Sequence, residues 1–239
     1  MKFPALAFDL DGTLYPNYRL YFRLIPFILR KYRLLRAFGM ARTRIRKSYE
    51  YSGAAVPLAE ACCDDHFYIN QAGIMAELLG EPVDIIMEKT DRLIYRGWEP
   101  HFKKIKLFPH VRDTLEAFRD AGIKLGLLSD FPPEIKLENL KIPGFWDAVV
   151  CSERVGRLKP HPVSFLELAR QMETPPEQIL YVGNSISYDV SGARNAGMKA
   201  AHIRRQVFFS GLGGFDALEG DAAVFCFSDY RQLRDYVLS

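Results

Sequence analysis

The sequence predicts an α/β protein: a Rossmann-like, mainly parallel sheet core, with an all-helical segment inserted after the first strand. Three observations point there. From Phe108-Pro109 onward, short apolar runs alternate with amphipathic stretches, the pattern of strands and helices taking turns. A further apolar run, Phe3 to Phe8, opens the chain and stops at a polar, glycine-containing turn. Between the two lies a stretch from Tyr18 to about Arg96 whose apolar residues recur at helical spacing, with few strand-like alternations.

Taken in order, Phe3 to Phe8 reads as a buried strand. The helical stretch carries Leu20, Leu24, Phe27 and Ile28, then Ile74 and Leu78, and is punctuated into several helices by Pro57, Gly80-Glu81-Pro82 and Gly97. Val111 to Ala121 reads as a helix ended by Gly122, followed by a strand from Lys124 to Leu128. A helix around Pro162 to Met172 leads to a strand from Ile179 to Val182. Another, Val190 to Ala196, stops at Gly197 before the strand Lys199 to Ile203. Ala222 to Phe227 reads as a last strand and Tyr230 to Val237 as a closing helix. Residues 1–14 and 108–239 thus form the expected core domain and residues 15–107 the inserted helical domain. The glycine-rich loop Ser210 to Gly214 lacks the strand-before, helix-after context of a phosphate cradle.

Composition narrows the function classes. With 239 residues, 49% hydrophobic and 26% charged, the chain is globular in character and long enough to bury a sizeable core. Its most apolar stretch, Leu20 to Leu29, is broken by Arg23 and Pro26 and falls short of the roughly 20 residues a membrane span needs. Asp9 and Asp11 stand where the apolar region of a signal peptide would run. The four cysteines show no CxxC spacing, and Cys62 and Cys63 read as packing residues. A reduced, cytoplasmic setting is the expectation. The net charge of +3 conceals an asymmetry: Tyr18 to Lys47 holds ten Lys and Arg and no Asp or Glu. A solvated helix face, steering of an anionic substrate, or contact with a membrane surface or nucleic acid are the readings open for it, nucleic acid being unlikely. Arg19, nearest the acidic turn, is the candidate for substrate contact.

Ligands of a doubly wound sheet bind beyond the carboxyl ends of its strands. Four polar clusters fall there: Asp9 and Asp11, Ser129-Asp130, Lys159-Pro160, and Gly183-Asn184-Ser185 with Asp189. Two carboxylates so close need either a proton or a cation between them. Oxygen ligands with water suit Mg²⁺, which takes one or two carboxylates plus a phosphate oxygen. Lys159 and Ser129 supply a positive charge and a hydrogen-bond donor for an anion. Those parts are what phosphoryl transfer uses, with an Asp carboxylate as nucleophile. Each cluster also has a plainer use. Asp9 and Asp11 suit a turn, Ser129 the cap of the turn after it, Asn184 and Asp189 a helix N-terminus, and Asp130 and Ser185 the shaping of their loops. Of five scattered histidines, only His161 falls near the site.

Phe8-Asp9-Leu10-Asp11-Gly12-Thr13-Leu14 resembles the first motif of the haloacid dehalogenase-like (HAD) hydrolase superfamily. Ser129 resembles its second motif, Lys159 in Arg157-Leu158-Lys159-Pro160 its third, and Val182 to Asp189 its fourth, in order across the whole core. Gly192 to Met198 resembles the helix after the fourth motif. The inserted segment stands where that family places its helical C1 cap. The resemblance implies Asp9 as nucleophile and Asp11 as general acid and then base. It implies Ser129, Asp130 and Lys159 around the phosphate, and Mg²⁺ held by Asp9, the Asp11 carbonyl, Asn184 and Asp189. Family dehalogenases lack an aspartate at the Asp11 position, because a halide leaves without a proton, so Asp11 favours phosphoester hydrolysis of a small phosphorylated metabolite. One departure weakens the metal site: the fourth motif usually begins Gly-Asp and here reads Gly183-Asn184, which removes one negative charge. The rival expectations are a non-catalytic relative binding an anionic partner through the basic stretch, and a phosphomutase of the same family. Oligomeric state is not legible.

Overall fold

The computed structural model describes residues 2–51, 64–204 and 225–239. Six strands make one parallel sheet: β1 (Ala5–Phe8), β2 (Lys124–Ser129), β3 (Ala148–Cys151), β4 (Ile179–Gly183), β5 (Lys199–Ile203) and β6 (Phe225–Phe227), in the spatial order β3-β2-β1-β4-β5-β6. The fold is Rossmann-like α/β. β1 is central, and its two neighbours, β2 and β4, run parallel to it in matched register, Phe8 opposite Leu127 on one side and Val182 on the other. The strand order therefore reverses at β1, and the crevice beyond its carboxyl end is the place for a ligand.

All four β1 residues are fully buried, because helices cover both faces. The period of two sorts them. Leu6 and Phe8 join one apolar layer with Leu115 and Phe118 of α6 (Val111–Asp120) and Leu233 of α11 (Tyr230–Leu238). Ala5 and Ala7 face the other layer, with Phe165 and Leu168 of α9 (Pro162–Gln171) and Ala193 of α10 (Ser191–Asn195).

Among the described residues, the elements between β1 and α6 are helices: α1 (Asn17–Arg30), α2 (Tyr32–Tyr51), α3 (Asp64–Leu79), α4 (Val83–Thr90) and, after a π-helical turn at Asp91–Tyr95, α5 (Arg96–Phe102). Leu34, Phe38 and Ala41 of α2 pack with Ala72 and Met75 of α3 and with Ile86 and Ile94 in a cluster of their own. Leu20 and Leu24 of α1, one turn apart, and Phe102 of α5 instead join the sheet's apolar layer, which seats the helical segment on the core.

Two elements escape the sequence pattern: β3, and α7 (Glu134–Leu140). β3 is only Ala-Val-Val-Cys, too short to show a period, and α7 follows Pro132-Pro133, which masks its start. A short α8 (Ser152–Val155) follows β3. The helix expected from Val190 begins earlier as a π-helical turn, Ile186–Val190, before α10. The expected strand Ala222 to Phe227 is described only as β6; residues 222–224, the loop Ser210 to Gly214, Cys62 and Cys63 lie outside the described residues. Among the described residues, Cys151 and Cys226 are free thiols, and no helix is long and apolar enough to cross a membrane.

Candidate active site

Asp9 follows β1 directly, and its N–H donates to Val182 O at 2.9 Å, which extends the β1–β4 pairing by one residue and fixes the carboxylate at the sheet edge. The turn then needs a glycine. Gly12 has φ of +91°, and a Cβ there would stand 2.7 Å from the Asn184 amide nitrogen and 2.8 Å from that of Asn17. That close approach lets the first and fourth motifs converge. The Thr13 hydroxyl lies 2.7 Å from Asp9 Oδ2 and 3.2 Å from Asn184 Oδ1, so both oxygens lie within reach of one small group.

Lys159, brought from the loop before α9, puts its ammonium 2.6 Å from Asp9 Oδ1 and 2.7 Å from Asp189 Oδ1. Asp189 Oδ2 accepts from the main-chain N–H of Asn184 at 3.1 Å and of Ser185 at 3.0 Å. Both Asp189 oxygens are thus engaged in holding Lys159 and the loop after β4. All three charged side chains are buried. Burial pushes Asp9 up to about 7 against the pull of Lys159, with Asp189 and Asp11 adding to the rise. Lys159 is held well above the ordinary lysine range: Asp189 and Asp9 outweigh the burial that would lower it.

Asp11 faces elsewhere. Lys136 of α7 reaches both its oxygens, at 2.7 and 2.6 Å, and the Tyr15 hydroxyl donates to it as well. Ser129 ends β2, and its oxygen accepts from Phe131 N–H at 3.2 Å, capping the turn while leaving the hydroxyl proton to donate. The Asp130 carboxylate turns away from the crevice. It accepts from Lys159 N–H at 3.0 Å and pairs with Arg46 at 2.8 Å and Arg42 at 3.8 Å; against its burial, the charges of Lys159, Arg42 and Arg46 hold it below the usual range. A contact between this residue and an anion would come from its main chain. His161 Nδ1 caps α9 by accepting from Val163 N–H.

Two of the ten cations in the basic stretch fit none of its expected uses. Arg42 and Arg46 of α2 point into the core. Arg42 pairs with the fully buried Glu153, and Arg46 also donates to the Lys159 carbonyl at 2.9 Å. They tie the helical segment to the loops that carry Asp130 and Lys159. The Arg19 side chain lies outside the described residues. Lys136, Arg46 and Thr13 also stand at the candidate site, and the sequence alone gives none of them a role there. Thr13 stood inside the first motif, whereas Lys136 has no pattern around it.

The donor set fits Mg²⁺. Among the described residues no three His, Cys, Asp or Glu side chains gather at metal-binding distance. Asp9 and the Asn184 amide oxygen nevertheless converge, and this ion characteristically takes one or two carboxylates and completes its shell with water and phosphate oxygens. A cavity of about 480 Å³ adjoins Asp11 and Lys136 between the sheet edge and the helical segment.

Known proteins bear on this arrangement. A glyceraldehyde 3-phosphate phosphatase of Methanopyrus kandleri is 39% identical over 107 residues, 44% of this chain and 46% of that protein. A phosphoglycolate phosphatase of Salmonella typhi is 32% identical over 134 residues, 52% and 53% of the two chains. The chain therefore spans about half the length of these curated relatives. The crystal structure of a HAD phosphatase from Thermococcus onnurineus superposes over 99% of this chain and 98% of its own, with a TM-score of 0.60 at 25% identity. The family model for haloacid dehalogenase-like hydrolases matches residues 3–197, so the chain belongs to that hydrolase family.

Proposed function

We propose that the chain is a Mg²⁺-dependent phosphatase that hydrolyses a small phosphorylated metabolite through an aspartyl-phosphate on Asp9. The observation that carries this reading is the buried Lys159 ammonium between Asp9 and Asp189, at the sheet edge where Thr13 meets Asp9 and Asn184 and where the neighbouring strand β2 ends in Ser129. The phosphatases among the relatives support it, as does Asp11, whose proton an alcohol leaving group needs and a halide does not.

In the first step the Asp9 carboxylate attacks phosphorus in line. The new O–P bond forms as the bond to the alcohol oxygen breaks, and Asp11 gives that oxygen its proton. In the second, water attacks the same phosphorus, Asp11 takes the water's proton, and the Asp9–phosphorus bond breaks to release phosphate. Ser129 and Lys159 bind the equatorial oxygens, positioned by the turn and by Asp189. Asp9, Asn184 and the Asp11 carbonyl would hold Mg²⁺, which when bound offsets the negative charge shared by phosphate and Asp9. Lys136 orients Asp11. Residues 15–107 serve as the cap that covers the crevice.

A panel of phosphorylated metabolites and p-nitrophenyl phosphate, each assayed with and without Mg²⁺, tests the proposal. Asp9→Asn is expected to reduce release of phosphate at least about 10⁴-fold. Undiminished turnover in a clean preparation refutes the mechanism, and isomerised sugar phosphate in place of free phosphate marks a mutase.

A further inference from the structure

The cavity beside Asp11 is shaped for more than a two- or three-carbon substrate. Its volume of about 480 Å³ lies within the roughly 300–1,000 Å³ of small-molecule sites and equals about 16 waters at ~30 Å³ each. Six aromatic side chains line it: Tyr21 from α1, Tyr68 from α3, Tyr95 from the π-helical turn, Trp98 and Phe102 from α5, and Phe131 from the loop after β2. Asp11 and Lys136 stand at its core end. Asp9, Ser129 and Lys159 do not border it, so the chamber lies on the side of the acid–base group, where the departing alcohol belongs.

The charges in the lining select further. It contains four carboxylates, Asp11, Asp91, Glu99 and Glu134, and two cations, Arg96 and Lys136. Both cations are already committed within the lining, Arg96 to Asp91 and Lys136 to Asp11. Among the described residues, then, a carboxylate on the leaving group finds no lining cation that is not already on an acid. Glu134 pairs in turn with Arg154 outside the lining, which leaves Glu99 as the lining acid for which the described residues supply no ion pair, and a carboxylate meets that excess charge instead. An uncharged aromatic body meets ring faces and edges.

We propose that this cavity is the leaving-group pocket for a phosphomonoester of a bulky, uncharged aromatic alcohol, in preference to a short carboxylated one. The proposal rests on the phosphatase reading, and names its substrate class.

The test compares alcohols of similar acidity, so that the demand for a proton is matched. Values of kcat/KM for 2-phenylethyl phosphate, ethyl phosphate and phosphoglycolate are measured with Mg²⁺. In parallel, calorimetry follows binding of 2-phenylethylphosphonate and ethylphosphonate, which cannot be hydrolysed. The aromatic ester is expected to exceed both others at least about tenfold, with the phosphonates in the same order, since apolar groups in a fitted pocket discriminate by roughly 10–200-fold. Phosphoglycolate equal to or better than the phenylethyl ester overturns the pocket and leaves the phosphatase standing. If no ester is hydrolysed while the aromatic phosphonate still binds tighter, the phosphatase reading fails and the pocket stands. Equal or absent binding of the two phosphonates sinks the pocket. Met87→Trp, which adds bulk to the lining from a half-exposed position on α4, should lower kcat/KM for the phenylethyl ester by a larger factor than for methyl phosphate; equal losses on both also overturn the proposal.

Discussion

The sheet edge and the chamber above it face each other across Asp11 but are held together by opposite means. At the sheet edge, Asp9, Lys159 and Asp189 are buried charges, each satisfied by another charge or by main-chain N–H groups, and the strands fix where each one starts. In the chamber six aromatic side chains, brought by several helices and one loop, stand among aliphatic and polar ones. The first region has the directional, high-stakes character of buried polar networks, in which an unpaired member costs dearly. The second has the tolerance of apolar contact, in which shape and volume count more than any single atom. On the proposed reading, chemistry falls to the charged half and selection to the apolar half.

This division can be broken by substitution. The largest effect is expected at the boundary. Asp11→Asn removes the proton donor and should slow hydrolysis of alkyl phosphates by roughly 10²–10⁴-fold. p-Nitrophenyl phosphate, whose leaving group needs little proton, should lose far less, and equal losses on both would show that Asp11 has another task. Lys159→Met comes next. It leaves two carboxylates buried without their cation and should cost about 3–5 kcal/mol of stability in denaturant unfolding, along with turnover. Stability unchanged within about 1 kcal/mol would mean that the network does not anchor the sheet edge.

Arg42→Met tests the joint between the regions. Glu153, fully buried, would keep only the Tyr68 and Tyr95 hydroxyls, and the loss should be about 3 kcal/mol. If the joint positions Lys159 and Asp130, KM for small phosphates should rise as well, which loss of stability alone would not produce. The smallest effect is expected for Asn184→Asp. It adds a carboxylate beside Asp9, so half-saturating Mg²⁺, read from the rise in Tm, should fall about tenfold, whereas Tm without metal should drop. A variant that binds Mg²⁺ no more tightly removes Asn184 from the ligand set.

The sheet edge was the legible half. Asp9 and Asn184 directly follow strands, and strand ends are readable because a buried parallel strand is an apolar run that stops abruptly; Lys159, in the loop between α8 and α9, and Asp189, in the π-helical turn, are readable only through the spacing of their motifs. Asp130 was also legible as a position, but not as a role. Its carboxylate is claimed by Arg42 and Arg46, which lie 88 and 84 residues earlier and give no local sign of their direction. Lys136 was illegible for a similar reason: a lysine near the start of a short helix ordinarily faces water, and only the packing of α7 brings it to Asp11. β3, with four residues, had too few positions to show any period.

Local pattern and motif spacing, then, were enough to place five of the six described strands, the inserted helical stretch and the acidic turn, since hydrophobic period and strand termination are properties of neighbouring residues. The partners of each charge, the inward turn of two arginines from a basic stretch, and the aromatic chamber beside Asp11 were decided only by the folded chain. Those features depend on which residues meet across dozens to more than a hundred positions, and burial and electrostatic pairing act on distance in space.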